Sequence, residues 1–362
     1  MTLDMRTEST FPETGVPPPL GTETRCDTAL ADESDVSLTL GVRYWEHVIP
    51  LALGEIGQGL VDVRLLETTP DLWSQSDLDG AETSFSRYVR ARAEGDDRVT
   101  ALPLFLMRGV RHRCILVRRD STALDAADLK GARVGLTGWA DSGNTWTRAV
   151  LREAGIGVAD ASWQVGPLTA DHPVLDRIGG APVGDNVQHT PGDRPLIDLL
   201  AAGQLDAVMT PFMPPRFYDP DSPIRPLYPD TRAAEVDYFQ RHGFVPGIHV
   251  LALRSDVLRH APEVAQQILD LFETAKWISR MRRDKLMDIT PWHNEDIAFA
   301  TRVVGHDWLP FGFSGDRRMV CAFQEELLAQ GLLKSPVPER DLFPFALEPS
   351  SATPMHDAEA TT

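Results

Sequence analysis

The strongest constraint on the fold of this chain is a rhythm. Short apolar runs with strand character alternate with helical stretches from about residue 36 to residue 331. "VSLTLGVR" (36–43) alternates as a strand, "HVIPLALGEI" has helical apolar spacing, and "VDVRLLET" (61–68) is a second strand. "AETSFSRYVRARAEG" (81–95) predicts a helix capped by Thr83 or Ser84 and stopped at Gly95. Strands follow at 99–107 and 112–119, then a strand at 132–137 and a helix at 144–154. "GIHVLALR" (247–254) reads as a strand, and long helices fill 261–288 and 316–331.

Strands that alternate with helices build α/β folds with mainly parallel sheets. The order predicts two lobes. Residues 36–119 and 245–345 form a discontinuous first lobe, and residues 120–244 form a second lobe inserted into it. Residues 1–35, rich in Pro, Thr, Glu and Asp, read as a disordered tail, as do residues 346–362. A two-lobed chain of this kind holds its ligand in the interlobe cleft.

Charge narrows the ligand. The chain of 362 residues carries −18, and half of that lies in its two ends. This argues against nucleic acid or an anionic membrane as partner. An anionic ligand would need local cations. Cys26, Cys114 and Cys321 are far apart, with no CxxC or Cys/His spacing for zinc. They read as reduced thiols, Cys114 as a core residue. No signal peptide and no apolar run of membrane-spanning length appears, so the expected location is the cytoplasm. GxSxG, P-loop and HExxH motifs are lacking, which weighs against a triad hydrolase, an NTPase and a zincin. A homo-oligomer is left open.

"RVGLTGWADSGNTWTRAVLREAGI" (133–156) reads as strand, tight polar loop and helix. The loop lacks the GxGxxG that lets a backbone approach a pyrophosphate. A helix start bearing Ser142, Asn144 and Thr145 suits a single carboxylate, with Ser142 or Asn144 as cap and Trp139 as cover for a ring. The plainer reading is a well-capped helix. Other candidates lie at expected strand ends, where open α/β sheets gather ligands. Arg43 follows the first strand as a carboxylate ligand, with Tyr44 or Trp45 as a ring stack or as core. Ser84 offers a hydroxyl at a helix start. Glu82 either accepts from a ring hydroxyl or complements the helix dipole. Arg216, after "LDAVMT", is a carboxylate clamp or a surface ion pair.

Several stretches together resemble the type 2 periplasmic-binding fold, and within it the 4,5-dihydroxyphthalate decarboxylase-like family. They include "RHRCILVRRDS", "DLKGARVGLTGW", "LLAAGQLDAVMTP" and "RPLYPDTRAAEVDYFQRHGFVPGIHVLALRSDVL". The resemblance implies a carboxy-lyase acting on a hydroxylated aromatic acid. Such a reaction protonates the ring carbon that bears the carboxylate, and carbon dioxide leaves. It needs a proton donor and cations, and no redox cofactor. A divalent metal could help hold a catechol pair, but no ligand spacing for one appears. His249 matches the family's histidine and is the first choice as acid, with His112 as second. Arg111 is the expected carboxylate clamp, because its fork binds carboxylate bidentately. Arg113 reads as a solvated edge. Two alternatives stay open: a solute-binding protein for a small anion, or another enzyme on the same fold, as in menaquinone or thiamine-precursor synthesis.

Overall fold

The computed structural model describes residues 37–172 and 177–350. Twelve strands among the described residues form two six-stranded sheets. The first sheet holds β1 (Leu38–Arg43), β2 (Val61–Leu66), β3 (Gly80–Ser84), β4 (Val99–Ala101), β5 (Met107–Arg108) and β12 (Gly247–Arg254), in the order β2-β1-β3-β12-β4 with β5 on β12. The second holds β6 (Ile115–Arg118), β7 (Arg133–Leu136), β8 (Ser162–Val165), β9 (Val187–His189), β10 (Ala207–Met209) and β11 (Ile224–Pro226), in the order β11-β6-β10-β7-β8-β9. Helices cover both.

The sheets are mixed, where mainly parallel ones were expected. Pairs β1–β2, β1–β3, β7–β8, β7–β10 and β8–β9 are parallel. β12 runs antiparallel to β3, β4 and β5, and β6 runs antiparallel to β10 and β11. β12 is the strand that returns after the second sheet is complete, and it enters the first sheet from the opposite end. Side-chain periodicity does not record strand direction. The outward crossing also falls earlier than residue 119, between Arg108 and Ile115, because β6 already pairs in the second sheet.

A second correction concerns residues 81–84. The helix is Phe85–Ala93, and Gly80–Ser84 is a central strand. A β-carbon on Gly80 would lie 2.3 Å from Leu253 and 2.8 Å from Leu40, so the strand needs glycine there. Burial between β1 and β12 overrides the helical look of "AETS".

Three long helices support the junction of the sheets. Val264–Arg283 buries Ile268, Leu269 and Phe272 against the first sheet. Ser142–Glu153 packs beside Phe313–Ala329 and joins the first sheet through the Trp146 indole N–H, which donates to the Gly247 carbonyl (2.9 Å). Phe85, Phe105 and Phe323 close the core between them, with ring centroids 4.8 and 5.1 Å from Phe85. The expected tails 1–35 and 351–362 lie outside the described residues, as does Cys26. Residues 346–350, expected in the second tail, are held instead. The Phe313 N–H donates to Leu347 (3.0 Å), and Ser350 donates to Asp270 from its N–H (2.8 Å) and hydroxyl (2.6 Å).

Candidate active site at the junction of the two sheets

His249 is the third residue of β12. It lies opposite Ser84 of β3 and pairs on the other side with Met107 of β5. Glu82 is therefore its diagonal neighbour on β3, within reach of a long side chain. Glu82 is fully buried, and its Oε1 lies 2.5 Å from His249 Nδ1. Its Oε2 accepts from the Arg43 backbone N–H (2.9 Å) and from the Trp45 indole N–H (2.8 Å). Burial pushes the Glu82 carboxyl up, but the bonds from His249, Arg43 and Trp45 outweigh it and hold the group below the usual carboxylate range. An ionised carboxylate can only accept, so Nδ1 of His249 carries a proton and Nε2 points away from Glu82. The imidazole remains partly open to solvent.

This geometry reassigns Glu82. Both its oxygens are engaged by the protein, so it orients an imidazole and does not receive a ring hydroxyl. Trp45 packs against the core, as one of its two readings had it, and its indole N–H is tied to Glu82. The Arg43 guanidinium lies over the Trp45 ring at 4.9 Å and reaches Met107 Sδ at 4.0 Å. It forms no ion pair among the described residues. Tyr44 is 62% exposed and is not core.

The helix Ser142–Glu153 faces this corner with its first turn. The Ser142 hydroxyl lies 2.8 Å from the Ser84 hydroxyl and accepts from the Ser86 N–H at 2.8 Å, which ties the two sheets' elements together. The cap is Asp141, not Ser142 or Asn144. The Asn144 N–H donates to its Oδ1 (2.6 Å), and the Thr145 N–H and hydroxyl donate to its carbonyl (3.0 and 2.8 Å). Asn144 Nδ2 bonds the Gly138 carbonyl (2.8 Å). The loop thus holds a carboxylate, and it is the chain's own. Asn144 and Thr145 are wholly buried staples of that turn, not ligand contacts. Trp139 is 1% exposed, stacked by Arg148 (4.3 Å) and edge-on to Trp163, so it covers no ligand ring.

Arg111 and His112 part company. Arg111 is 1% exposed, with its guanidinium against Gly143 and its Nε on the Thr147 hydroxyl (3.3 Å). Neither terminal nitrogen has a hydrogen-bond partner among the described residues. His112 instead sits between Tyr228 and Tyr238, ring centroids 5.1 and 5.6 Å away. It borders a separate cavity of about 330 Å³ at the far end of the helix, beside Val150 and Glu153. Burial pulls its imidazole down to about 4. Arg216 is a surface residue paired with Asp219 (2.8 Å) and Asp221 (3.1 Å). Arg113 is exposed, and Cys114 is buried as expected. No group of three or more His, Cys, Asp or Glu placed to hold a metal occurs among the described residues. No described helix is long and apolar enough to cross a membrane.

Two curated relatives carry the same name. The 4,5-dihydroxyphthalate decarboxylase of Comamonas testosteroni is 27% identical over 326 residues, spanning 87% of this chain and 98% of that protein. The enzyme of that name from Pseudomonas putida is 29% identical over 211 residues, or 57% and 82%. This chain is similar to the 4,5-dihydroxyphthalate decarboxylases. The resemblance read from the sequence holds over nearly the whole length of the first relative. No protein-family model matches the chain. Among solved structures, the periplasmic aliphatic sulphonate binding protein SsuA from Escherichia coli has a TM-score of 0.51 at 15% identity, covering 88% of this chain and 94% of that one. The desulfurization enzyme DSZB also gives 0.51 at 15%, covering 85% and 96%. The fold is thus the two-lobed periplasmic-binding type. Solute-binding proteins and enzymes share it, so fold alone does not choose between them.

Proposed function

We propose that this protein is a carboxy-lyase that removes carbon dioxide from a hydroxylated aromatic acid, with 4,5-dihydroxyphthalate as the first candidate. The observation that carries this reading is the His249–Glu82 pair. Solute capture asks only for groups that bind, whereas a buried ionised carboxylate that fixes one imidazole nitrogen leaves the other poised to deliver a proton. Kinship with the named decarboxylases supports the same reading.

In the proposed reaction the substrate ring lies against Nε2 of His249. A hydroxyl para to the departing carboxylate pushes electrons toward the carbon that bears it. The protonated imidazole gives its Nε2 proton to that carbon. The bond to the carboxylate then breaks, carbon dioxide leaves, and its electron pair restores the aromatic ring. His249 is left neutral and regains a proton from water. Glu82 balances the positive charge of the imidazolium throughout. Arg43, whose guanidinium has no carboxylate of its own, holds the carboxylate that is retained. Ser84, the strand partner of His249, offers a hydroxyl that Ser142 holds from behind. Arg111 stays beneath the helix start, and its unpaired charge favours an anion in front of it.

The test measures carbon dioxide from a panel of ortho- and para-hydroxylated aromatic acids, 4,5-dihydroxyphthalate among them, with the reaction run in deuterium oxide. Release of carbon dioxide with one deuterium at the vacated ring carbon is expected. Binding of these acids with no release across the panel would overturn the enzyme reading and leave a solute-binding protein.

A further inference from the structure

Trp45 touches both working parts of the site through different parts of one side chain. Its indole N–H donates to Glu82 Oε2 at 2.8 Å, and Glu82 in turn orients His249. Its ring face carries the Arg43 guanidinium at 4.9 Å. The backbone reinforces this, since the N–H of Arg43 donates to the same Glu82 oxygen as the Trp45 indole. A two-residue step at the end of β1 therefore ties the cation to the carboxylate that steers the proton donor. We infer that Trp45 is a positioning residue that couples Arg43, which holds the substrate's carboxylate, to the Glu82–His249 pair that delivers the proton.

This inference rests on the decarboxylase reading for the roles of Arg43 and His249, but its structural core does not. Tryptophan is the only aromatic side chain that offers a ring face and a ring N–H without an acceptor of its own. Phenylalanine keeps much of the shelf under Arg43 and deletes the hydrogen bond. Leucine deletes both. The two substitutions therefore separate the two functions of one side chain. Glu82 is faced by His249 on β12, by the backbone and indole donors at the end of β1, and more distantly by the imidazole of His47, which burial keeps down to about 4. Asp141 lies beyond, acting on His249 from the start of its helix. Loss of the indole donor removes one of three bonds to the charged carboxylate, so Glu82 takes up a proton at higher pH.

The experiment compares the full chain with W45F and W45L. The carboxyl carbon of Glu82 is followed by NMR against pH, with E82Q identifying its signal. In W45F the Glu82 midpoint is expected to rise by about half to one pH unit. On an active substrate, kcat falls about tenfold with KM within twofold, and the acid limb of the pH profile moves upward with the midpoint. In W45L, KM also rises several-fold. An unchanged Glu82 midpoint in W45F overturns the inference, as does an equal fall in kcat with an unmoved acid limb. If no acid in the panel is decarboxylated, the decarboxylase reading fails, and the NMR titration still decides whether Trp45 holds Glu82.

Discussion

The two histidines that looked alike in the sequence occupy opposite chemical situations. His249 has an ionised carboxylate 2.5 Å from one nitrogen and keeps its ring partly open to solvent. His112 is 4% exposed, has no carboxylate within hydrogen-bond reach among the described residues, and packs between two tyrosines whose own hydroxyls are pushed up by burial, that of Tyr228 to about 12. Burial keeps the second ring neutral, whereas the first has a carboxylate beside it. The difference teaches that a histidine's partner, rather than its place in a motif, sets what proton chemistry its ring can do. Both rings sit along one helix, Ser142–Glu153, but at opposite ends of it.

The largest effect should come from breaking the first corner. H249Q is expected to lower kcat by about 100- to 10,000-fold, while H112F stays within about threefold of the parent. E82Q should cost nearly as much as H249Q, about 100-fold or more, because the amide can donate to Nδ1 and reverse which ring nitrogen carries the proton. Steady-state kinetics on an active substrate check both. Comparable losses from H112F and H249Q would erase the distinction drawn between the two rings.

The second corner is sharpened by stability. In the unfolded chain His112 takes up a proton near pH 6.5, and in the folded chain only near pH 4. Between those values the unfolded state binds more protons, so stability is full above about 6.5 and falls as pH drops toward 4. The loss from this residue approaches about 3 kcal/mol at the acid end. His47 behaves the same way, also pulled down to about 4 by burial. H112F should therefore remove this residue's contribution and make the acid slope of the stability curve shallower than the parent's. Denaturant unfolding followed from pH 7 to pH 4 measures it, and an unchanged slope would mean that His112 is not held neutral.

These corners also show what a sequence makes legible. Alternating runs located most elements, because burial on one face leaves its period in the residues, but β3, β9 and the helix His293–Val304 were not among them. Strand direction left no such trace, so the antiparallel return of β12 and the mixed sheets appeared only in three dimensions. Ser84, one of the two expected caps, does stand at the N-cap of Phe85–Ala93, but the strand character of residues 81–84 was hidden because their burial depends on β12, about 170 residues away. Arg43 was marked by its place at a strand end, and His249 by the family resemblance. The Glu82–His249–Trp45 bonds were not readable, since each joins segments far apart in the chain. The polar loop at 138–145 was read as a seat for a substrate carboxylate, whereas it wraps the chain's own Asp141, which is the plainer reading of a well-capped helix with a cap that was overlooked. An Asp directly ahead of "SGNT" is an N-cap signal that could have been used.

Arg111 tests the comparison from between the two corners. It precedes His112 in the chain, yet its guanidinium turns to the start of the helix, on the His249 side. There it is buried, and its two terminal nitrogens have no hydrogen-bond partner among the described residues. Burial works against its charge, with Asp141 among the few groups that favour it. A charge kept in such a place costs stability, and replacing it with a hydrophobe of similar length should return some. R111M is therefore expected to stabilise the fold by about 1–2 kcal/mol in urea unfolding. The same substitution should weaken binding of an aromatic dicarboxylate several-fold, since the buried cation no longer favours an anion at the helix start. A gain in stability with a loss of affinity marks a residue held for its charge. A loss of both would show instead that Arg111 is a packing element of the helix, and that the anion is held by Arg43 without it.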